Sequence, residues 1–368
     1  MTDAWLYTPA GRPRARALNI PFEGQPAALN SITDVPGVEV GYETLIDGDD
    51  IRTGVTAILP RGKQGVGVSC ASGFHSFNGN GELTGSHWLA ETGLLGWPVM
   101  ITNTYAVGPV HRGVIDWVVR EQPTTAPWDF PVVGETYDGY LNDIGRSYVT
   151  PQHAVNAIDN ATAGPIEEGS VGGGTGMNAY GFKAGNGTAS RKVPYAGKDY
   201  TVGAFIQANF GSRRQLTIAG RALGKLLADD NPMAEADWLL PPGSGSAIVV
   251  VATDAPLLPQ QCAALARRAT IGLGRTGTTG GHTSGDIFLA FSCGNPGALA
   301  SPPDQQEEAL SRVDFVPWHG IDGFPEATVY AVEEAVVNAL VVNETMIGLA
   351  GHRSPAIPRE RLVGLFSE

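Results

Sequence analysis

The sequence predicts a globular protein of mixed α and β class in which helices cover layered sheets, and three observations carry that expectation. Runs such as Ala-Ile-Val-Val-Val-Ala at 247–252 are apolar on both faces, as strands inside a sandwich are. Segments with apolar residues at three-to-four spacing alternate with these runs along the chain. The 368 residues are 42% apolar and 17% charged, enough for a large core, with no polar or Pro-rich linker dividing them. One domain over residues 1–368 is therefore expected.

Taken in order, Gly54–Leu59 and Gly65–Cys70 read as strands from their β-branched and apolar content. Ser86–Leu95 has the helical period, Val99–Asn103 is a short buried strand, and Val110–Glu121 is an amphipathic helix. Val202–Ala208 returns to strand, and Ser212–Ala228 carries apolar residues at helical spacing. Strand Ala247–Ala252 leads through Thr253-Asp254-Ala255-Pro256, a helix-start signal, into a helix over Leu257–Leu273. Strand Ile287–Ser292 and helix Ala327–Leu340 complete the series. No fixed-period repeat is present.

Composition excludes several classes. A formal net charge of −13 disfavours nucleic acid or an anionic membrane as partner, because phosphate recognition needs a positive surface. Neither a signal-peptide pattern at Met1 to Arg16 nor a membrane-length apolar run is found, so a cytoplasmic location is expected. Cys70, Cys262 and Cys293 are odd in number and widely spaced, which reads as buried thiols rather than a disulfide framework or a zinc site. The 49 glycines sit among strand-like segments and point to tight turns and close backbone approach.

Common signatures fail on inspection. Gly272 to Gly277 matches G-x-G-x-x-G but follows a helical segment instead of a strand, so dinucleotide binding is not indicated. The run Gly169 to Gly176 lacks the Lys-Ser/Thr ending of a phosphate loop and reads as a structural or active-site turn. There is no G-x-S-x-G elbow and no H-E-x-x-H, and the seven histidines lack ligand spacing. No cofactor or metal is called for.

The informative segment is Pro241-Pro242-Gly243-Ser244-Gly245-Ser246, a turn that delivers a serine onto the first position of a buried strand. The sheet would hold Ser246 rigidly, while Gly245 leaves its own carbonyl open to the Ser246 hydroxyl. An N→O acyl shift followed by hydrolysis would then free the Ser246 amine and divide the chain into 1–245 and 246–368. Such an amine titrates at about 7.7–8.0, so part of it is neutral near pH 7 and can take the proton of its own hydroxyl.

Several ordered segments resemble the DmpA family of L-aminopeptidase/D-esterase-amidases and β-peptidyl aminopeptidases, which are self-processing N-terminal-nucleophile hydrolases. They are 30–38, 78–85, 135–139, Gly169 to Gly176, 187–191, 207–211, Gly245-Ser246 with its strand, and 280–286. The resemblance covers nearly the whole chain. It implies an α+β fold, a four-layer αββα sandwich, and a serine aminopeptidase or amidase acting on small peptides, amides or esters with a free amino end. It also implies a homo-oligomer, tetrameric or larger.

By the same resemblance, Ser246 is the nucleophile, Ser284 hydrogen-bonds it or its amine, and Asp286 orients Ser284. Two residues apart at a strand entrance, Ser284 and Asp286 should point to the same side. Position 286 carries Asp where some relatives carry Glu, one methylene longer. Asn209 is similar to the family's amide donor to the oxyanion and Tyr137 to its hydroxyl-bearing companion. Glu135 resembles the acid that receives the substrate ammonium group. Two other readings stand beside this one. An acyltransferase of the ornithine-acetyltransferase type normally uses threonine where Ser246 stands. A non-catalytic small-molecule binding protein would not cleave itself.

Overall fold

The computed structural model describes residues 3–121, 129–234, 245–299 and 310–367. Along the chain the principal strands are β1 (Glu39–Asp47), β2 (Ile51–Leu59), β3 (Cys70–Ser76), β4 (Leu94–Leu95), β5 (Val99–Asn103), β6 (Val132–Thr136), β7 (Asn186–Tyr195), β8 (Lys198–Asn209), β9 (Gly245–Thr253) and β10 (Ser284–Ser292). The longer helices are α1 (Ser86–Thr92), α2 (Val107–Glu121), α3 (Pro151–Asp159), α4 (Pro259–Arg275), α5 (Gly323–Val341) and α6 (Arg359–Phe366).

These strands build a four-stranded sheet, β1-β2-β5-β6, and a six-stranded sheet, β4-β3-β10-β9-β8-β7. Helices α2 and α3 pack on the first, and α4 and α5 on the second. The sheets face each other across a core in which Ile58, Val99, Ile101 and Val132 meet Phe205, Ile248, Val250, Leu289 and Phe291. A separate core fills the space under α4 and α5, where Ala247, Val249, Phe288 and Ala290 pack on Leu265, Val332 and Val336. The order of layers is helix, sheet, sheet, helix, the αββα sandwich expected.

Alternation along β9 explains its unbroken apolar run: even positions enter the inter-sheet core and odd positions the helical core, so neither face meets water. Helix α5 is buried along nearly its whole length, and its buried Glu334 pairs with Arg191 at 2.7 Å and with Arg16 at 2.7 Å. Among the described residues no helix is long and apolar enough to cross a membrane.

Two expected elements are corrected. Ser212–Ala228 is not a helix: a 3-10 turn, Arg213–Gln215, leads into the short antiparallel pair Thr217–Ile218 and Arg221–Ala222. Ala219 and Gly220 both take positive φ there, the Leu216 carbonyl accepts from the N–H groups of Leu223 and Gly224, and the buried Arg213 guanidinium ties the loop to the carbonyls of Tyr180, Gly181, Leu227 and Asp229. The apolar spacing of Leu216, Ile218, Leu223 and Leu227 instead fits the folded loop to the helical core. Gly65–Cys70 is a turn and an irregular segment, with pairing from Cys70 onward only. The helix expected to end at Leu95 stops at Thr92, capped by Gly93 at φ 67°, and Leu94–Leu95 become β4. The start signal at 253–256 is a loop, and α4 begins at Pro259. Strands β1, β6 and β7, β3 beyond Cys70, and helices α3 and α6 are not legible as elements in the sequence.

Candidate active site

Ser246 is the second residue of β9 and is buried. It pairs with Asn209 on antiparallel β8 and lies in register with Gly285 on parallel β10. Since Ile248 and Val250 enter the inter-sheet core, the Ser246 side chain at the same alternation points between the sheets. There the backbone N–H of Tyr137, just past the end of β6, donates to Ser246 Oγ at 3.3 Å. The facing ends of two sheets from opposite layers thus meet at this hydroxyl.

Asn209 is held by both ends of its amide. Its Oδ1 accepts from the N–H of Asn178 at 3.1 Å, and its Nδ2 donates to the carbonyl of Tyr137 at 2.8 Å. That leaves one Nδ2 hydrogen on the face shared with Ser246. Behind it, Gln207 Nε2 donates to the Thr102 carbonyl at 3.2 Å and to Thr136 Oγ1 at 2.8 Å, tying β8 to β5 and β6. Burial raises the Tyr137 phenol above its usual range, with Tyr105 and Asp138 adding to the effect, so it stays a neutral hydroxyl near pH 7.

Glu135, in β6, is buried. The N–H of Glu82 donates to its Oε1 at 3.1 Å, and the Thr104 hydroxyl makes a short hydrogen bond to Oε2. Burial pushes this carboxyl above the ordinary range, while those two donors pull it back. A Cβ at Gly81 would lie 3.2 Å from Glu135 Oε1 and 3.2 Å from the Gly285 Cα. The segment around Gly81 therefore bridges the acid to the strand beside the nucleophile.

Ser284 and Asp286 occupy the other face. Ser284 Oγ donates to Asp286 Oδ1 at 2.7 Å, so the shorter carboxylate reaches its partner. Asn78 Nδ2 donates to Oδ2 at 3.0 Å. Burial raises this carboxyl too, opposed by the Ser284 and Asn78 bonds and by the N–H of Ala247. Asp286 lines a cavity of about 140 Å³ with Phe77, Thr270, Leu273 and Phe288, on the helical side of the sheet. The two side chains do share one side, as expected, but the alternation sets it opposite to that of the Ser246 hydroxyl. On the neighbouring strand Ser284 is in register with Gly245, the residue that precedes Ser246.

Two glycines make the crowding possible. Gly245 has φ 154°, and a Cβ there would lie 1.8 Å from the carbonyl oxygen of Asn209. A Cβ at Gly285 would lie 2.1 Å from the Asn80 carbonyl oxygen. Pro241 to Ser244, the rest of the turn before the nucleophile, lie outside the described residues.

Sequence reasoning missed Asn78, Thr104, Asn178, Gln207 and Asp138. Asn78, Asp138 and Gln207 lie within the family-like runs 78–85, 135–139 and 207–211, whose sequence alone assigns them no role. Asp138, next to Tyr137, is fully buried, takes the Asn142 amide at 3.0 Å, and is pushed up to about 7 by burial against hydrogen bonds from Thr53, Asn142 and Asn103.

Comparison with known proteins places this geometry. Residues 30–354 match the profile of Peptidase family S58. The chain is 45% identical to a beta-peptidyl aminopeptidase BapA of Sphingosinicella microcystinivorans, covering 97% of this chain and 92% of the relative. It is 43% identical to the BapA of Sphingosinicella xenopeptidilytica, over 96% and 91%. Among solved structures it is similar to the L-aminopeptidase D-Ala-esterase/amidase of Ochrobactrum anthropi, described as a prototype for the serine aminopeptidases and a variant of the Ntn hydrolase fold. That likeness has a TM-score of 0.89 and 43% identity over 97% of this chain and 99% of that one. A Burkholderia sp. beta-aminopeptidase also superposes at TM-score 0.89, with 42% identity over 96% and 98%.

Proposed function

The chain belongs to peptidase family S58 and is a serine aminopeptidase of the Ntn-hydrolase type, and from that premise we propose that it cuts itself between Gly245 and Ser246 and then uses Ser246 as its nucleophile. The observation that carries the proposal is Ser246 Oγ itself: buried at a strand start, aimed between the sheets, and met by the Tyr137 N–H. In the first step Oγ attacks the Gly245 carbonyl carbon, the 245–246 C–N bond breaks and an ester forms. The departing Ser246 nitrogen takes the hydroxyl proton and becomes the free amine, and water then hydrolyses the ester, releasing the Gly245 carboxylate and restoring the Ser246 hydroxyl. The products are residues 1–245 and 246–368 of one αββα unit.

In turnover the freed amine takes the hydroxyl proton as Oγ attacks the substrate carbonyl, and passes it to the leaving amine. The acyl-enzyme is then hydrolysed by water. The second Nδ2 hydrogen of Asn209 and the Tyr137 hydroxyl serve as oxyanion donors, a role worth several kcal/mol. Ser284, oriented by Asp286, holds the amine at the plane of the sheet. Glu135 receives the substrate ammonium, which restricts the enzyme to free amino ends.

The substrates are small peptides, amides or esters of L-, D- or β-amino acids, a range spanned by the names of the relatives. A homo-oligomer is supported by the exposed Leu310, Phe315 and Trp318, and a cytoplasmic setting by three cysteines that are all free thiols. Intact mass measurement of the purified protein, followed by a screen of aminoacyl p-nitroanilides of L, D and β types, tests the whole reading. An active protein found only at full length would overturn it.

A further inference from the structure

Lys183 is fully buried, and the mechanism above does not use it. Its Nζ donates to the Met177 carbonyl at 2.7 Å and to the Ala184 carbonyl at 2.5 Å. Neither acceptor is charged. A neutral amine has two N–H donors, which these two carbonyls satisfy, and burial holds the group well below its ordinary range in the same direction. A buried lysine without a carboxylate is costly to keep, so what its two bonds accomplish matters.

The Met177 carbonyl and the Asn178 N–H belong to one peptide unit. That N–H donates to Asn209 Oδ1, and Asn209 Nδ2 donates to the Tyr137 carbonyl. Lysine, peptide and side-chain amide therefore form a head-to-tail chain of hydrogen bonds. In such a chain each accepted bond polarises the next donor, by about 10–30% per bond. The amide at the end of it is the one on the Ser246 face.

We propose that Lys183 is a positioning residue that orients and polarises the Asn209 amide through the 177–178 peptide, strengthening it as a donor to the oxyanion. The inference rests on Ser246 as nucleophile and Asn209 as oxyanion donor. Because the oxyanion exists only in the transition state, the effect falls on kcat and not on KM. Without the amine the Met177 carbonyl keeps a second bond, from the Ala184 N–H at 3.0 Å, while the Ala184 carbonyl loses its Lys183 donor.

The test compares Lys183→Met, which keeps the stem and removes the donors, with Lys183→Gln, which keeps an N–H donor on a shorter arm. The expected result for Lys183→Met is a roughly tenfold fall in kcat per processed chain, with KM within about twofold and Tm within a few degrees of the parent. Lys183→Gln should lie between the two. A Met variant with parental kcat overturns the inference, as does a kcat that falls only in step with Tm or with a rise in KM. If the Met variant does not fold, the Gln variant is judged by the same split; if neither folds, Lys183 is a residue of the fold and the inference fails. Ser246→Ala, run alongside, separates the two levels. Activity in that variant would remove the nucleophile reading itself, whereas an inactive Ser246→Ala beside a fully active Lys183→Met removes only the role of Lys183.

Discussion

Replacing Gly245 by alanine should separate self-cleavage from turnover. The added Cβ would lie 1.8 Å from the Asn209 carbonyl oxygen, where ordinary van der Waals contact begins near 3.4 Å. The start of β9 must therefore move by about 1.6 Å or adopt another φ, because 154° is a conformation that L side chains rarely take, at a cost of about 1–3 kcal/mol. The displaced group is the scissile carbonyl. Attack requires the hydroxyl about 3–3.5 Å from the carbonyl carbon, and a misplacement of about 1 Å costs on the order of 100-fold, or about 3 kcal/mol of barrier. The expected outcome is precursor that persists at least about 100-fold longer in an intact-mass time course. Turnover per processed chain should stay normal, since Gly245 is no longer attached to Ser246 once the cut is made. Gly364→Ala is the control: no atom lies within 4 Å of a Cβ there, and processing should be unchanged. Processing of Gly245→Ala within threefold of the parent would refute the reasoning, and so would normal processing with impaired turnover.

Ser246→Ala should remain a single inactive chain while Ser246→Cys still processes at a reduced rate, as read by mass and p-nitroanilide release; activity in the alanine variant would direct attention to Ser284. Glu135→Gln should raise KM for free-amine substrates and cut kcat/KM by one to two decades, since a charge-assisted hydrogen bond contributes about 1.5–3 kcal/mol, yet leave self-cleavage intact. Equal turnover of free and N-acetylated substrates by the parent would defeat the ammonium assignment. Because burial raises the Glu135 carboxyl, KM for free-amine substrates should climb as pH falls, starting above the ordinary carboxylate range, and Glu135→Gln should flatten that limb. Asp138 has a folded-state value of about 7 against about 3.9 unfolded, so the folded chain holds its proton more tightly and stability should fall as pH rises between those values. Thermal melts of Asp138→Asn from pH 4 to 8 should lose that part of the slope; an unchanged slope would mean that Asp138 is not its source.

The sequence by itself determined the class of fold and, with the family resemblance, singled out Ser246 as the proposed nucleophile. These are local properties: an apolar run on both faces of β9 needs layers on both sides, and a Gly-Ser junction at its start creates a serine held against its own carbonyl. Period along the chain is enough to read the fold class, while the Gly-Ser junction taken alone also reads as an ordinary turn. Ser212–Ala228 shows the limit of period alone, because apolar spacing of three to four fits a folded loop pinned to its neighbours by a buried arginine as well as it fits a helix. Strand β6, Val-Val-Gly-Glu-Thr, owes its pairing to β5, well before it in the chain, whereas β7 pairs with the adjacent β8 through the turn at Ala196-Gly197, and its Asn, Ser, Arg and Lys hide the apolar pattern of a strand. The site divides in the same way. The resemblance paired Ser284 with Asp286, their two-residue spacing set both on one side, and the 2.7 Å bond agrees. Only the tertiary structure decided that this pair lies on the opposite face of the sheet from the Ser246 hydroxyl, because that depends on the register of β9 against β10. It also decided that Asn78 braces Asp286, that Thr104 braces Glu135, and that Lys183 stands behind Asn209. Each of those contacts joins segments brought together by sheet packing, and hydrogen bonds across such distances leave no period in the chain from which to infer them.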